Sequence, residues 1–317
     1  MTDSTENKIR MAAAAVIPPI AGTIFVYIGV TVLQEYGWTL FLLLPLVLGF
    51  TSTLIYDPKG DKPFGKCLGV GFLSILTIGF LIMITAIEGL VCLAMALPLA
   101  APLIALGVLL GWALTRELKN SRAGVGLSVI LFLVMPLFMG FEISNKSTPT
   151  VHEVVSTVEI DAPIETVWKN VVEFPEIDEA PQGILRFGFA YPINAHIEGK
   201  GVTAVRYCNF NTGAFVEPIT AWQEPNLLAF DVREQPAPMT ELSLYENLHV
   251  AHLEYLRSQK GQFRLYERHG KTVVEGTTFY KHDIAPDLYW SLFSDEIIHK
   301  IHLRVLNHIK EVSERPS

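Results

Sequence analysis

Charged residues and cysteines are both scarce in this sequence. Only 18% of its 317 residues are charged, against roughly 25% in a typical soluble protein. The three cysteines, Cys67, Cys92 and Cys208, include no CxxC pair, which excludes a disulfide framework of the kind that holds small secreted domains together. The net charge is −8 and no basic stripe runs through the second half, so we expect no nucleic-acid partner.

The common motifs of hydrolytic and nucleotide-dependent enzymes are also missing. The sequence has no Gly-x-Ser-x-Gly elbow, no P-loop and no Gly-x-Gly-x-x-Gly turn. No residue therefore stands out as a catalytic nucleophile, and we expect no cofactor. An enzyme that works by acid–base catalysis stays open, because that chemistry needs no such motif.

Long apolar runs are abundant instead, and all of them lie before residue 144. A helix that crosses a bilayer needs about 20 mostly apolar residues. The sequence predicts five such spans, at residues 11–33, 38–56, 67–87, 90–115 and 124–143. The first span is longer than a signal-peptide core, so we interpret it as uncleaved. Residues 1–143 are therefore expected to form a five-helix transmembrane domain.

The division between the third and fourth spans is predicted at Glu88 and Gly89. The run 67–115 would measure about 73 Å as one helix, roughly twice the thickness of the bilayer core. A carboxylate at mid-membrane would cost at least about 2.5–3.5 kcal/mol, which favours a turn there. Glu88, Cys92 and Met95 could also form a metal or proton site on one helical face. We favour a turn carboxylate beside two apolar side chains.

Charges in the loops predict the orientation of the spans. Eight lysines and arginines lie on one side, and the two opposite turns contain none. The eight are Lys8, Arg10, Lys59, Lys62, Lys66, Arg116, Lys119 and Arg122. Basic loops stay in the cytoplasm. The N-terminus is therefore expected on the cytoplasmic side of a bacterial inner membrane, and the residues after the fifth span on its other side. Four spans instead of five would place the second domain in the cytoplasm.

The second half has the pattern of a soluble α+β domain. A polar linker, 144–150, leads into a strand at 152–161 and a helix that ends near residue 173, with Asp161 as its expected N-cap residue. Strand-like runs follow at 201–210, 214–223, 227–233, 253–257, 262–267 and 272–281. A turn at Lys260 and Gly261 is expected between the fourth and fifth runs. A long helix with an apolar stripe is predicted at 286–313. This order predicts a curved antiparallel sheet around a C-terminal helix in a domain over residues 151–317, with an apolar hollow that suits a ligand.

Four stretches of this half carry a family resemblance. Residues 155–168 read Val-Ser-Thr-Val-Glu-Ile-Asp-Ala-Pro-Ile-Glu-Thr-Val-Trp, and the other stretches are 215–231, 271–280 and 290–310. They resemble the opening strand and helix, central hairpin, last strand and closing helix of the SRPBCC superfamily of START-related, polyketide-cyclase-like, helix-grip domains. The resemblance implies a fold and no particular activity, because the superfamily includes lipid carriers, receptors and enzymes. The first half resembles the membrane region of bacterial membrane proteins that carry such a domain.

Polar and aromatic residues of the strands and the last helix are the candidates for a ligand site in the hollow. Glu217 alternates with apolar residues, so its side chain is expected to point inward, with Arg206 on the preceding strand as its partner. Glu275 and Thr277 share one face of the last strand, and Arg264 lies on a neighbouring run. The candidates are Arg206, Glu217, Phe263, Arg264, Glu275, Thr277, Phe279, Trp290 and Phe293. Ordinary core packing is the alternative for each aromatic residue.

Two Glu-x-x-His-x-x-His patterns raise the question of a metal site. They consist of Glu246, His249 and His252, and of Glu296, His299 and His302. Carboxylate-bridged metal sites of this kind need further ligands from facing helices, which a helix-grip fold does not offer. Glu296 also stands four residues before Lys300, a spacing typical of an exposed helix face. We therefore expect no metal.

Three functions are compatible with these features. We favour a membrane-tethered binding module for a hydrophobic or lipid-like small molecule, with the lipid bilayer as its second partner. The first alternative is an enzyme of the polyketide-cyclase-like type, with Glu217 or a histidine as general acid or base. The second is a membrane scaffold or sensor that binds a membrane protein through small-residue patches such as Gly69 to Gly71 and Gly124 to Gly126.

Overall fold

The computed structural model describes residues 3–118, 121–146, 148–245 and 256–315. The chain forms two compact units. The helical unit contains the N-terminal part of the chain together with residues 241–245 and Ile284–Pro286, and the sheet unit contains the remainder. The main division falls inside the predicted linker, whereas the two short segments come from within the predicted second domain.

Five apolar helices build the helical unit. They are α1 (Asp3–Tyr27), α2 (Leu44–Tyr56), α3 (Phe64–Ile84), α4 (Leu90–Leu118) and α5 (Ser121–Ser144), with π-helical turns at Ile28–Val32 and Thr39–Leu43. With these adjoining turns, each helix is long and apolar enough to cross a membrane. The five predicted helices are confirmed, and the break between α3 and α4 contains Glu88 and Gly89 as predicted.

Glycine lets two of these helices pack backbone against backbone. A Cβ atom on Gly49 of α2 would lie 2.3 Å from the carbonyl oxygen of Ile104, and one on Gly107 of α4 would lie 2.1 Å from that of Leu46. Neither position has room for a methyl group. Close approach at small residues is typical of helices that associate in membranes.

The glycine patches that the sequence suggested for protein partners differ from one another. A Cβ atom on Gly71 would lie 2.5 Å from the side chain of Val108, so Gly71 faces α4. A Cβ atom on Gly69 or Gly126 would meet nothing within 4 Å. Only one of these three glycines therefore contributes to close packing within the helical unit.

Two buried serines connect α1, α2 and α3. Ser52 Oγ lies 2.8 Å from Ser74 Oγ, and Ser74 Oγ donates to the carbonyl oxygen of Ala14 at 3.1 Å. A buried hydroxyl that loses its partner is costly in apolar surroundings. These bonds therefore help to fix how the three helices are rotated against one another.

Residues 241–245 complete the helical unit beside the turn between α3 and α4. The backbone N–H of Leu90 donates to the carbonyl oxygen of Leu242 at 2.9 Å. The Tyr245 hydroxyl donates to the carbonyl oxygen of Ile84 at 2.5 Å. These bonds satisfy backbone groups at the end of one helix and the start of the next, which otherwise have no partner within the helix.

Glu88 and Cys92, at the turn between α3 and α4, are hydrogen-bonded to neighbouring side chains. The Tyr36 hydroxyl donates to Glu88 Oε1 at 2.6 Å, and Cys92 Sγ donates to the carboxylate of Glu241. Both residues therefore take part in hydrogen bonds with other residues of the helical unit. This arrangement agrees with the favoured interpretation of Glu88 as a turn carboxylate.

In the described part of the sheet unit, one seven-stranded sheet is accompanied by one short α-helix, one 3-10 helix and one long α-helix. The elements are β1 (His152–Ile160), α6 (Ile164–Val172), a 3-10 helix (Gly183–Phe187), β2 (Pro192–Glu198), β3 (Val205–Phe210), β4 (Gly213–Gln223), β5 (Leu227–Asp231), β6 (Arg257–Arg268), β7 (Lys271–Lys281) and α7 (Asp287–Ser313). The strand order is β1-β7-β6-β5-β4-β3-β2, and every pair is antiparallel. A curled antiparallel sheet with a long closing helix fits an α+β helix-grip domain.

The core of the sheet unit lies between one face of the sheet and the two helices. Its buried members come from β1, α6, the central strands and α7, and they include Ile160, Trp168, Leu228, Leu265, Val274, Leu306 and Ile309. Gly276 of β7 faces α7, because a Cβ atom there would lie 3.7 Å from the side chain of Leu306. The apolar stripe predicted on the last helix therefore packs against the sheet.

β6 differs from its prediction. The sequence predicts two short strands separated by a turn at Lys260 and Gly261, but the structure has one continuous strand with a bulge between Ser258 and Lys260. The ring of Phe230 lies 2.7 Å from the position of a Cβ atom on Gly261. Glycine is needed there for a close contact with a side chain of the neighbouring strand, and it makes no turn.

Two smaller expectations also change. β2 matches no predicted strand, although Ile193, Ala195 and Ile197 alternate with polar residues along it. α6 begins at Ile164 with Pro163 as its N-cap residue and no side-chain cap, although Asp161 was the expected cap. The backbone N–H of Asp161 instead donates to Glu314 near the end of α7, at 2.7 Å.

We expect that Gly107→Ala destabilises the helical unit. The added methyl group would clash with the backbone of Leu46 and force α2 and α4 apart, at a cost of about 1–3 kcal/mol. Gly79→Ala is the matched control, because a Cβ atom on Gly79 meets nothing within 4 Å and alanine has the higher helix propensity. Thermal unfolding of the full chain in detergent measures both variants. Equal unfolding temperatures would contradict this packing.

Candidate functional site

A cavity of about 110 Å³ lies between the sheet and α7 within the sheet unit. Typical small-molecule pockets have roughly 300–1,000 Å³, so this one is small. Most of its wall is apolar. The lining residues are Arg206, Cys208, Phe210, Phe215, Glu217, Phe230, Val232, Ser258, Lys260, Gly261, Gln262, Phe263, Gly276, Thr277, Thr278, Ile298, Ile301, His302 and Val305.

An ion pair between Arg206 and Glu217 forms one wall of the cavity. The two residues are direct partners across the antiparallel pair of β3 and β4, which places both side chains on the same face. Arg206 Nη1 donates to Glu217 Oε2 at 2.5 Å, and Arg206 Nε donates to the carbonyl oxygen of Val172 at 3.1 Å. Arg206 is only 1% exposed, so the pair is shielded from solvent. Arg206 and Glu217, which the sequence analysis paired, therefore lie together in the wall of the cavity.

One nitrogen of this guanidinium takes part in neither bond. Arg206 Nη2 is buried and has no hydrogen-bond partner among the described residues. A buried donor without a partner costs about 1–3 kcal/mol, and more when it belongs to a charged group. Because Arg206 lines the cavity, an acceptor on a bound molecule would recover that cost.

The surroundings of the pair favour a charged guanidinium. Its central carbon lies 5.7 Å from the ring of Phe174, 5.8 Å from that of Phe230 and 5.5 Å from that of Phe263. Aromatic faces attract a cation at such distances. Burial raises the pKa of the Glu217 carboxyl, and the charge of Arg206 opposes that shift.

Cys208 is an unreactive part of the same wall. Burial raises the pKa of its thiol to about 12, with the charge of Arg206 acting in the opposite direction. The thiolate is the nucleophilic form of cysteine. Cys208 therefore stays protonated at neutral pH and serves as a small apolar side chain.

His302 is a cavity residue that the sequence-based selection missed. Its Nε2 lies 2.7 Å from Thr278 Oγ1 and its Nδ1 lies 3.0 Å from Ser156 Oγ. Burial, followed by the nearby His299, lowers the pKa of His302 to about 4, so the ring is neutral at physiological pH. Its spacing from Ile298 and Val305, four and three residues, would have placed it on the buried face of α7.

Four of the nine candidate ligand residues meet at the cavity. They are Arg206, Glu217, Phe263 and Thr277. The pattern that found the first two is alternation along β4 combined with the need to pair a buried charge. Two hydroxyl groups, one amide and one imidazole also line the cavity and supply polarity near the pair, from Ser258, Thr278, Gln262 and His302.

The other five candidates lie elsewhere in the sheet unit. Arg264 is exposed and lies directly opposite Glu275 across β6 and β7. Phe279 holds the ammonium of Lys260 at 4.6 Å from its ring centre. Trp290 and Phe293 form an aromatic group in the first turns of α7. Alternation explains why Arg264 and Glu275 do not line the cavity. Arg264 follows the cavity residue Phe263 and so projects from the other face of β6, and Glu275 lies opposite Arg264.

Of the two histidine patterns from the sequence, only the one on α7 lies within the described residues. His299 Nδ1 and His302 Nδ1 both lie near Ser156 Oγ, at 2.7 and 3.0 Å, and Glu296 pairs with Lys300 at 3.2 Å. The second pattern, Glu246, His249 and His252, lies outside the described residues.

Several solved structures are similar to this chain over about half of its length or slightly more. No family model matches the sequence, and no curated protein does either. The di-domain aromatase/cyclase BexL is 14% identical over 67% of this chain and 64% of its own, with a TM-score of 0.35. Norcoclaurine synthase from Thalictrum flavum is 12% identical over 55% of this chain and 99% of its own (TM-score 0.35). The Zhui aromatase/cyclase from Streptomyces sp. R1128 is also 12% identical, over 52% and 95% (TM-score 0.34).

We expect that His302 makes the sheet unit less stable in acid. Its pKa is near 6.5 in an unfolded chain and about 4 in the folded protein. The neutral ring therefore stabilises the fold above pH ~6.5, and this contribution falls by up to roughly 3 kcal/mol as the pH drops to about 4. His302→Gln, which stays neutral, should remove that part of the pH dependence.

Hydrogen exchange of β7 and α7 peptides in the full chain, measured between pH 7 and pH 4 and corrected for intrinsic exchange rates, tests this expectation. His196→Gln is the control, because His196 is exposed on β2. It should leave the pH dependence of wild type unchanged. The same acid loss of protection in wild type and His302→Gln would show that His302 is not its cause.

Proposed function

We propose that this chain is a membrane-anchored binding module for a hydrophobic small molecule that carries one polar acceptor group. The observation behind the proposal is the spare donor of Arg206, which is buried in a largely apolar cavity. Ligand sites combine an apolar wall with a few placed polar groups. In this cavity the polar group already has its position fixed by Glu217 and by the end of α6, so binding requires little reorganisation.

The cavity and its charges limit the class of ligand. A cavity of about 150 Å³ can hold one benzene molecule, so the volume here suits an aromatic ring or a short alkyl segment. Glu217 already neutralises Arg206, which favours a neutral acceptor such as a carbonyl or hydroxyl oxygen over an anion. A longer lipid-like molecule would place one end in the cavity.

The helical unit supplies the anchor in this proposal. Its five helices have the length and composition to span a membrane, and the loop charges favour a cytoplasmic N-terminus. With five spans, the sheet unit would lie on the non-cytoplasmic side. Such an anchor would keep a binding domain close to a bilayer, where hydrophobic molecules concentrate.

An enzymatic role has a weaker basis. The raised pKa of Glu217 is the kind of perturbation found in active sites. However, Glu217 is held by Arg206, both nitrogens of His302 lie near hydroxyl groups, and burial keeps the Cys208 thiol protonated. These contacts stabilise a polar wall and leave no activated nucleophile among the cavity residues.

Binding is tested with two small molecules of matched shape, 4-fluoroacetophenone and 1-ethyl-4-fluorobenzene. Only the ketone offers an acceptor to Arg206. Fluorine NMR on the full chain in nanodiscs should show saturable binding of the ketone at least about tenfold tighter than that of the hydrocarbon, the effect of one charge-assisted hydrogen bond. Empty nanodiscs give the background from partition into lipid.

Two variants connect this preference to the cavity. Arg206→Met combined with Glu217→Met removes the donor without leaving a buried unpaired charge or adding a new donor, and it should abolish the preference for the ketone. Arg264→Met is the control, because it removes an exposed arginine of the same sheet, and it should behave as wild type. Equal binding of both molecules to wild type, or an unchanged preference in the double variant, would refute the proposal.

A photoactivatable fatty alcohol, which has a neutral head group, distinguishes a lipid ligand from other hydrophobic molecules. Crosslinks in peptides of β3, β4 and α7 would identify the alkyl chain as an occupant of the cavity. Crosslinks restricted to α1–α5 would mean that the fatty alcohol only surrounds the helices. The ligand would then belong to a different class of small molecule.

The orientation has its own test. Alkaline phosphatase becomes active only outside the bacterial cytoplasm. Green fluorescent protein becomes fluorescent only inside the cytoplasm, because it does not mature after export by the general secretory route. C-terminal fusions to these two proteins therefore report the side of the sheet unit. We expect an active phosphatase and a dark fluorescent protein. The opposite pair of results would place the sheet unit in the cytoplasm and would contradict five membrane-spanning helices.

A further inference from the structure

A second group of side chains with binding chemistry lies in the sheet unit, apart from the cavity. It consists of His152, His282 and Asp287, and none of the three lines the cavity. His152 opens β1, and its partner across the sheet is Tyr280 near the end of β7. His282 directly follows β7, and Asp287 is the first residue of α7. Three separated parts of the sequence therefore meet at one edge of the fold.

The spacing of the three side chains is that of metal ligands. His152 Nε2 lies 2.9 Å from Asp287 Oδ1, and His282 Nε2 lies 3.5 Å from the same oxygen. All three candidate ligand atoms lie within 4.8 Å of one another. Ligands at about 2.0–2.2 Å from a zinc ion are separated by roughly 3.3 Å in a tetrahedral site, which is between the two measured distances.

The surroundings hold the imidazoles in place. The rings of His152 and His282 are parallel, with centroids 5.4 Å apart, and the ring of Tyr280 stacks on His152 at 5.2 Å. The Tyr280 hydroxyl donates to Asp295 Oδ1 at 2.7 Å, which ties this aromatic support to α7. The side chain of His282 is 1% exposed and that of Asp287 is 47% exposed, so the group has a closed side and an open side.

We propose that His152, His282 and Asp287 bind a divalent transition-metal ion of the zinc type. Imidazole nitrogen favours such ions over magnesium and calcium, which prefer oxygen ligands. Two imidazoles and one carboxylate leave at least one coordination position free, as in zinc sites that exchange water or substrate. The exposed side of Asp287 is where that position would face. The sequence analysis, which among the histidines considered only the two Glu-x-x-His-x-x-His patterns, led us to expect no metal, and these three residues form no local motif.

The competing explanation is an ion pair without a metal. Asp287 would then hold a proton on His152 or His282, and the group would only fasten the start of α7 to β1. Both explanations use the same distances, so they differ in their response to zinc. A metal site binds one zinc ion tightly, whereas an ion pair without a metal site shows no tight zinc binding.

The test is a zinc titration of the full chain in detergent, stripped of metal beforehand, by competition with a chromophoric chelator. We expect one tightly bound zinc ion per chain and, with Co²⁺ as a replacement, the visible absorption bands of a low-symmetry site. His152→Ala and Asp287→Asn should each weaken zinc binding by about 100-fold or more, since even residues that only support metal ligands contribute 10–100-fold.

Matched controls separate this site from other histidines. His196→Ala removes an exposed histidine of β2 and should bind zinc as wild type does. A variant with His249→Ala and His252→Ala tests the remaining histidine pair suggested by the sequence, and it should also retain binding. Circular dichroism of each variant shows that it is folded, and the partly exposed His152 and Asp287 are the informative positions if His282→Ala fails to fold.

Absence of tight zinc binding in wild type would overturn the proposal and leave the ion pair as the explanation. Tight binding that persists in both His152→Ala and Asp287→Asn would overturn it as well. Loss of binding only in the variant without His249 and His252 would place the metal elsewhere. These outcomes are independent of the cavity, so failure here would leave the proposed ligand function untouched.

Discussion

The sheet unit depends on a buried charge that must be paired. Taking a guanidinium out of water costs several kcal/mol unless another charge and enough acceptors replace the solvent. Arg206 meets Glu217 across β3 and β4 and also bonds to the carbonyl oxygen of Val172 at the end of α6. One side chain thereby connects two strands and a helix, and a shift in strand register would separate the charges. The same ion pair forms the cavity's polar wall, where Arg206 Nη2 has no hydrogen-bond partner among the described residues.

The helical unit follows a different constraint. Its surface is apolar, so association of its helices cannot rely on hydrophobic burial alone if they lie in a bilayer. Backbone contact at Gly49 and Gly107 and hydrogen bonds through Ser52 and Ser74 supply what apolar side chains cannot. Residues 241–245 add hydrogen bonds at the turn between α3 and α4. This segment follows β5 in the sequence, so the helical unit is completed only after β1 to β5 of the sheet unit have been synthesised.

Sequence patterns predicted the elements better than the contacts. Five apolar runs, a charged turn at Glu88 and the helical stripe of α7 were sufficient for the main architecture, because hydrophobic periodicity reflects local geometry. Lys260 and Gly261 were misinterpreted as a turn, since only the fold shows that the ring of Phe230 needs the space above Gly261. Strand alternation and charge pairing were enough to select Arg206 and Glu217.

The remaining site features depend on distant neighbours. Predicting His302 as a cavity residue required knowing which face of α7 meets the sheet. The neutral state of its ring depends on burial, which no local sequence pattern shows. His152, His282 and Asp287 meet only because β1 pairs with β7 at the start of α7. No spacing rule in the sequence links residues that far apart.

A density map of the full chain purified from its own membrane, at a resolution that shows side chains, tests the central claim most directly. A ligand-binding cavity predicts density that belongs to no protein atom between the sheet and α7, with an acceptor within hydrogen-bond distance of Arg206 Nη2. A cavity closed by neighbouring side chains, with Arg206 Nη2 bonded to a protein oxygen, would contradict a ligand-binding function and leave the ion pair with a purely structural role.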